Sequence, residues 1–176
     1  MNNANKTQFI KLEEIFNIRT GSTPSKQNDK NWINGEIPWF TVDDINNSGD
    51  ILYKSKKHIT LNSIKCRVAD KNSIIVGTTA TIGIHALIKV DSYTNQQFTI
   101  LTLKNSYKQK YDINFLNYYF FILDKYCIQH SHKTTTGFLS INKNILKKFI
   151  IPLISIKTQR HIVNIIIHLF LFLRFL

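Results

Sequence analysis

The chain has 176 residues, 43% of them hydrophobic, with 23 Lys and Arg against 11 Asp and Glu. That length suits one domain with a short appendage, and that apolar content excludes a disordered chain. A net charge of +12 is an electrostatic footprint for nucleic acid or an anionic membrane surface. Only four of the basic residues are arginine: Arg19, Arg67, Arg160 and Arg174. An AT-rich genome, which inflates Lys, Asn and Ile, is the competing explanation of the excess. Lysine neutralises phosphate but lacks the fork that arginine offers to guanine.

Residues 1–8 read as a frayed terminus, and the polar run Met1 to Thr7 predicts no signal peptide. Apolar residues between Phe9 and Ile18 fit a short strand or helical turn that enters the fold. Gly21-Ser22-Thr23-Pro24-Ser25 is a loop, because Gly and Pro punctuate the chain and Ser and Thr satisfy turn backbone groups. Ile37 to Val42 predicts a short strand, which Pro38 confines to an edge or a strand start. Asn46 to Asp50 reads as a plain turn. Three Ile-, Val- and Thr-rich runs predict strands at Ser73 to Thr79, Ile82 to Val90 and Gln97 to Leu103. From Asp112, a good N-cap, to Gln129 the spacing of Ile113, Leu116, Phe120, Leu123 and Cys127 predicts a helix. A shorter helix is expected over Asn142 to Lys148. A last buried strand, Phe149 to Ile151, is expected to stop at Pro152. Ser155 can cap a final helix. The fold class is α/β: a strand-rich domain with late helices, followed by the start of a long helix.

Catalytic signatures are missing. Gly77-Thr78-Thr79-Ala80-Thr81-Ile82-Gly83 lacks the Lys-Ser/Thr of a phosphate loop and has the wrong glycine spacing for a dinucleotide loop. Cys66 and Cys127 are isolated, and two buried free thiols in a reducing cytoplasm are expected. The six histidines are dispersed, so no metal site is expected. Asp43-Asp44 is an adjacent acid pair, and no downstream Glu-x-Lys accompanies it. There is no serine elbow and no Asn-Pro-Pro-aromatic or Asp-Pro-Pro-aromatic motif of amino-methyl transfer.

What remains is charge and hydroxyls. One basic stretch holds Lys54, Lys56, Lys57, Lys65 and Arg67, and a second runs from Asp124 to Arg160. Between and beside them lie hydroxyl-rich loops: Ser22-Thr23 with Lys26 close by, Thr78-Thr79, and Lys133-Thr134-Thr135-Thr136. Hydroxyls and backbone N–H groups fix register on phosphates, lysine supplies charge, and loop side chains can reach base edges. Each residue alone also fits a solvated surface; the set together points to DNA. Trp32 and Trp39 flank the first loop pair and are expected to anchor it.

The order of the short motifs resembles the target recognition domain of type I restriction–modification specificity (S) subunits. Gly21 to Ser25, Trp32, Gly35 to Trp39, Asp44-Ile45, Ile82-Gly83, Asn95-Gln96, Ile151-Pro152-Leu153 and Gln159 carry the resemblance, which covers about residues 9 to 165. The family's Arg-Gly before the Ile-Gly turn is Ala80-Thr81 here, and Thr158 stands where a Glu is usual. Family members usually carry two recognition domains, about twice this length. The resemblance implies a recognition domain over 1–153 that reads one half of a split site in double-stranded DNA. A spacer helix then begins over 154–176, with Gln159, Ile162 and Val163 docking methyltransferase (M) subunits. It implies no cofactor on this chain; S-adenosylmethionine, ATP and magnesium belong to the M and restriction (R) subunits. It also implies a cytoplasmic protein without catalysis of its own.

The tail from Ile162 to Leu176 is apolar except at Asn164, His168 and Arg174, and its 15 residues fall short of the roughly 20 that span a bilayer. A spacer helix should instead show charges outside an apolar seam. A truncation after about Ile165 is the expectation. The chain then reads as a half-subunit that pairs with its own copy or a second half, or as an inactive remnant. A stand-alone nuclease and a basic membrane-surface protein are the competing classes.

Overall fold

The computed structural model describes residues 7–63 and 68–173. The chain opens with β1 (Gln8–Lys11), a single helical turn α1 (Leu12–Ile15) and β2 (Phe16–Thr20). β3 (Ile37–Phe40) leads into α2 (Val42–Ser48), β4 (Ile51–Leu52) and β5 (His58–Ile59). β6 (Ile74–Gly77), β7 (His85–Ile88), β8 (Tyr93–Thr94) and β9 (Phe98–Leu103) follow. The last part holds α3 (Ile113–Gln129), a ribbon of β10 (His132–Lys133) and β11 (Leu139–Ser140), α4 (Lys143–Lys147), β12 (Ile150–Leu153) and α5 (Ile156–Leu173). The expected mixed α/β, strand-rich fold with late helices is present.

A five-stranded sheet in the order β2-β9-β6-β7-β4 forms the centre. Its pairs are antiparallel except β4 with β7. Alternate residues serve two cores. Ile74, Val76, Leu87 and Leu101 face Phe115, Leu116, Phe120 and Leu123 of α3. Ile75, Ala86, Ile88 and Ile100 face Phe40, Ile45 and Leu52. Both sheet faces are therefore covered, which explains why β6 and β7 read as continuous apolar runs without alternation. A smaller sheet, β5-β3-β8, packs its own cluster of Trp39, Ile59 and Tyr93 beside the first. β1 pairs antiparallel with β12, joining the first strand to the strand that precedes α5.

Several expectations need correction. Val42 begins a helix instead of ending a strand, and Asn46 to Ser48 are helical, not a turn. The reason is Asp44, whose Oδ2 accepts the Thr41 N–H at 2.8 Å and caps the helix that Gly49 ends at φ +81°. The last strand runs through Pro152, which pairs with Phe9 on a two-stranded ladder where a missing N–H is tolerated. Its Ile150 is exposed, not buried. The short β8 had no strand signal in the sequence.

The helices are held by side chains that satisfy backbone. Asp112 caps α3 through the N–H groups of Asn114 and Phe115, at 2.9 and 3.4 Å. Ser155 takes the Thr158 N–H at the start of α5. Gln159, fully buried, accepts the Asp112 N–H and donates to the carbonyls of Lys110 and Ile154, each at 2.8 Å. Buried His85 joins β7 to α3: Nε2 donates to the Asn117 carbonyl at 2.9 Å, and Nδ1 lies 2.9 Å from Asp124 Oδ1. Cys127 is a free buried thiol whose pKa is pushed up to about 12, by burial first and by Asp124 second. Cys66 lies outside the described residues.

Gln159→Leu should strand three backbone groups and cost at least about 3 kcal/mol, lowering Tm by roughly 6–12 °C in a thermal melt. The Tyr111 hydroxyl is buried and finds no hydrogen-bond partner among the described residues. Burial is the main reason its pKa is pushed up to about 12, with Tyr107, Tyr119 and Glu14 adding. The fold thus favours the protonated phenol. That contribution is complete below the ordinary value of 10 and is lost as pH rises through 12. Tyr111→Phe should leave stability at pH 7 equal or higher, by up to about 1–3 kcal/mol. The variant should also lose less stability than the parent between pH 10 and 12, as read by urea melts.

Candidate nucleic-acid interface

The strands β2, β6 and β9 all meet one end of the central sheet, where Thr20 pairs with Thr99 and Gly77 with Phe98. The loops that leave this end are stitched to one another. Ser22 N–H donates to the Thr94 carbonyl at 2.9 Å, and the Thr23 hydroxyl donates to Gln96 Oε1. Gly21 must be glycine: a Cβ there would stand 2.2 Å from the Asn95 carbonyl oxygen. The Thr78 N–H donates to the Gln97 carbonyl at 2.8 Å, and Ala80 N–H to the Leu139 carbonyl at 2.8 Å. Thr79 bridges to Ser140, which brings the β10–β11 ribbon onto the same rim. Lys143 Nζ reaches Thr20 Oγ1. Ala80 adopts φ +65°, a left-handed conformation costly for a residue with a Cβ, on the turn where this chain lacks the expected Arg-Gly.

Trp39 joins the lysine loop to this rim. Its indole N–H donates to the Ser22 carbonyl at 3.2 Å, and its ring meets Trp32 edge-on at 5.1 Å. Trp32 in turn donates to the Ser25 carbonyl at 3.0 Å. Lys57 Nζ lies 6.0 Å from the Trp39 ring centroid, and the Trp39 N–H donates to the Lys57 carbonyl at 2.8 Å. The loop carrying Lys54, Lys56 and Lys57 hangs from buried Asp44, whose Oδ1 accepts Ser55 Oγ–H at 3.2 Å and Lys56 N–H at 3.1 Å. The two tryptophans do hold the first loop, and Asp44 of the acid pair is a structural acceptor.

The predicted contact residues divide accordingly. Lys26, Lys54, Lys56, Lys57, Lys133, Thr135 and Thr136 are exposed, and Thr79 and Thr134 are half-buried. Thr78 turns inward: it is 4% exposed, and its hydroxyl lies 3.0 Å from Thr99 Oγ1. Ser22 donates its hydroxyl to the Tyr93 hydroxyl at 3.2 Å, so Ser22 and Thr23 both spend their side chains on holding the loop. Lys65 and Arg67 lie outside the described residues. Sequence reasoning missed Gln96, exposed beside Thr23, and Lys143, which was read as part of a charge run.

The residues expected to dock partners lie mostly inside the fold. Gln159 and Val163 are buried, and Ile162 packs against the main core. The apolar surface of α5 lies further along, at Ile165, Ile167 and Leu169 to Leu173, all exposed. Between Ile167, Phe170 and Leu171 of α5 and Tyr118 and Phe121 of α3 opens an apolar cleft of about 580 Å³. Among the described residues, no helix is long and apolar enough to cross a membrane. No group of three metal-ligating side chains gathers among them either.

The fold and this rim define a strand-rich domain with a basic, loop-built end and a long terminal helix. The family model for the type I restriction modification DNA specificity domain matches residues 5–172, and the chain belongs to that family. It is 43% identical over 148 residues to the EcoprrI specificity subunit of a type I restriction enzyme from Escherichia coli, covering 84% of this chain and 36% of that protein. It is 29% identical over 163 residues to the MjaIX specificity subunit from Methanocaldococcus jannaschii, covering 89% and 36%. The chain thus spans little more than a third of these relatives. In fold it is similar to the HsdS subunit from Thermoanaerobacter tengcongensis, with a TM-score of 0.67 at 20% identity over 93% of this chain and 37% of that one. A type I S subunit from M. genitalium gives 0.65 at 19% identity, over 93% and 39%.

Asp44→Asn would replace one of the two accepting oxygens with an amide donor, so either the Thr41 or the Lys56 N–H loses its acceptor. We expect a loss of about 1–3 kcal/mol. Limited trypsin digestion should show faster cleavage after Lys54, Lys56 and Lys57.

Proposed function

We propose that this chain supplies sequence specificity to a type I restriction–modification complex and reads one half of a split site in double-stranded DNA. The observation that carries this is the hydrogen-bonded succession of loops at one end of the sheet. It runs from the Lys54–Lys57 loop through Trp39 to the turns at Ser22, Gln96 and Thr79 and on to the Thr134–Thr136 ribbon. Such a surface offers lysines for phosphates and hydroxyls and amides for base edges on a fixed frame. Methyltransferase subunits dock against the apolar second half of α5. They bring S-adenosylmethionine and methylate adenine, and restriction subunits add ATP- and magnesium-dependent cleavage. The chain itself is non-catalytic and cytoplasmic. One recognition unit reads one half-site, so a bipartite target needs a second unit, from the same protein or from another copy.

The test is co-expression with the neighbouring methyltransferase and mapping of methylated adenines, which should fall in one short sequence context. Affinity for duplex DNA should drop steeply with salt, and Lys57→Ala and Lys133→Ala should each reduce the salt slope by about 0.9. A salt-independent titration would overturn the reading.

A further inference from the structure

Phe138 is 58% exposed, and Leu139 beside it is 38% exposed. They sit on the β10–β11 ribbon, whose ladder pairs His132 with Ser140 and Lys133 with Leu139. The tip is closed by the Thr134 N–H donating to the Phe138 carbonyl at 2.7 Å and the Gly137 N–H to the Thr134 carbonyl at 2.9 Å. Gly137 takes φ +83°, so the tip is a defined turn. The root is fixed as well: Ile141 N–H donates to the Thr78 carbonyl at 3.0 Å and Ser140 Oγ–H to the same oxygen at 3.3 Å. A narrow finger anchored at its base therefore carries an aromatic ring out from the rim. Residues 125–176 contain no Asp or Glu, so no acid of the finger opposes a polyanion.

A two-stranded ribbon fits the major groove of B-DNA, where thymine presents a 5-methyl group that apolar side chains recognise. Resting on the proposed DNA-reading function, we infer that the β10–β11 finger enters the major groove and that Phe138 is a specificity-determining residue that packs on a thymine methyl. Lys133 and the Thr134–Thr136 hydroxyls flank it as phosphate and base-edge contacts. The ring adds selectivity for an A·T pair at one position of the half-site, whereas the rim lysines add affinity without selectivity.

The experiment selects binding sites from random duplexes with the full chain, alone and in complex with its co-expressed methyltransferase. It then measures affinity for the selected site with each thymine replaced in turn by deoxyuridine. One replacement should weaken binding about three- to tenfold, the scale of one buried methyl group. Phe138→Ala should bind thymine and uracil sites equally while keeping the salt slope of the parent. As an exposed position, it should also keep the parent's circular dichroism and Tm. Selected sites without a fixed A·T pair, or equal affinity for thymine and uracil sites in the parent, overturn the inference and leave the function standing. Phe138-dependent co-sedimentation with anionic vesicles, with DNA binding unchanged by the substitution, overturns it in favour of a membrane contact. Absence of any salt-dependent duplex binding overturns the function and the inference together.

Discussion

Both faces of the central sheet are buried, and the remaining architecture follows from that. Ile74, Val76, Leu87 and Leu101 pack on α3, while Ile75, Ala86, Ile88 and Ile100 pack on Phe40, Ile45 and Leu52. A sheet covered on both sides has no open face on which to build a site. Function is left to the ends of its strands, where backbone direction changes and loops emerge. At one end, β2, β6 and β9 release the loops that carry hydroxyls and lysines; at the other, α3 and α5 begin, locked together by Gln159.

The loops at the first end pack a few apolar side chains, among them Trp32, Ile82 and Ile84, and otherwise take their shape from a few buried polar groups. Asp44 serves a helix cap and the lysine loop with the same carboxyl group. Trp39 spends its indole N–H on Ser22 and its backbone N–H on Lys57. Hydrogen bonds of this kind, removed from water, are costly to leave unmade. They fix where exposed lysines and threonines stand without those residues contributing to the fold. The division lets surface residues vary while the frame holds.

Much of the frame was legible in the sequence. The helix over Ile113–Gln129 followed from apolar spacing and the Asp112 cap, and the strands β6, β7 and β9 from their Ile, Val and Thr content. The order of the Gly, Pro, Trp and Asn-Gln motifs placed the family, because these residues mark backbone crossings. Gly21, for one, lies where Thr94 and Asn95 pass too close for a side chain. The helix over Val42–Ser48 was missed because its stability comes from Asp44 and from packing of Ile45, against the weak propensity of its asparagines. β8 was missed because two residues leave no period to read.

By itself the sequence determined the class of fold, the charge and the family, since these rest on local spacing, composition and residues that backbone geometry makes obligatory. It could not assign which hydroxyls and amides face outward. Thr78 and Thr79 are neighbours of like chemistry, yet one is sealed against Thr99 and the other lies on the rim. Gln159 looks like a surface residue of a helix and instead closes three backbone groups from two other segments. Apart from the nearby Ile154 carbonyl, the partners in these outcomes are distant in the chain, as Thr99 is from Thr78 and Asp112 and Lys110 are from Gln159, and only tertiary structure brings such partners within hydrogen-bonding distance.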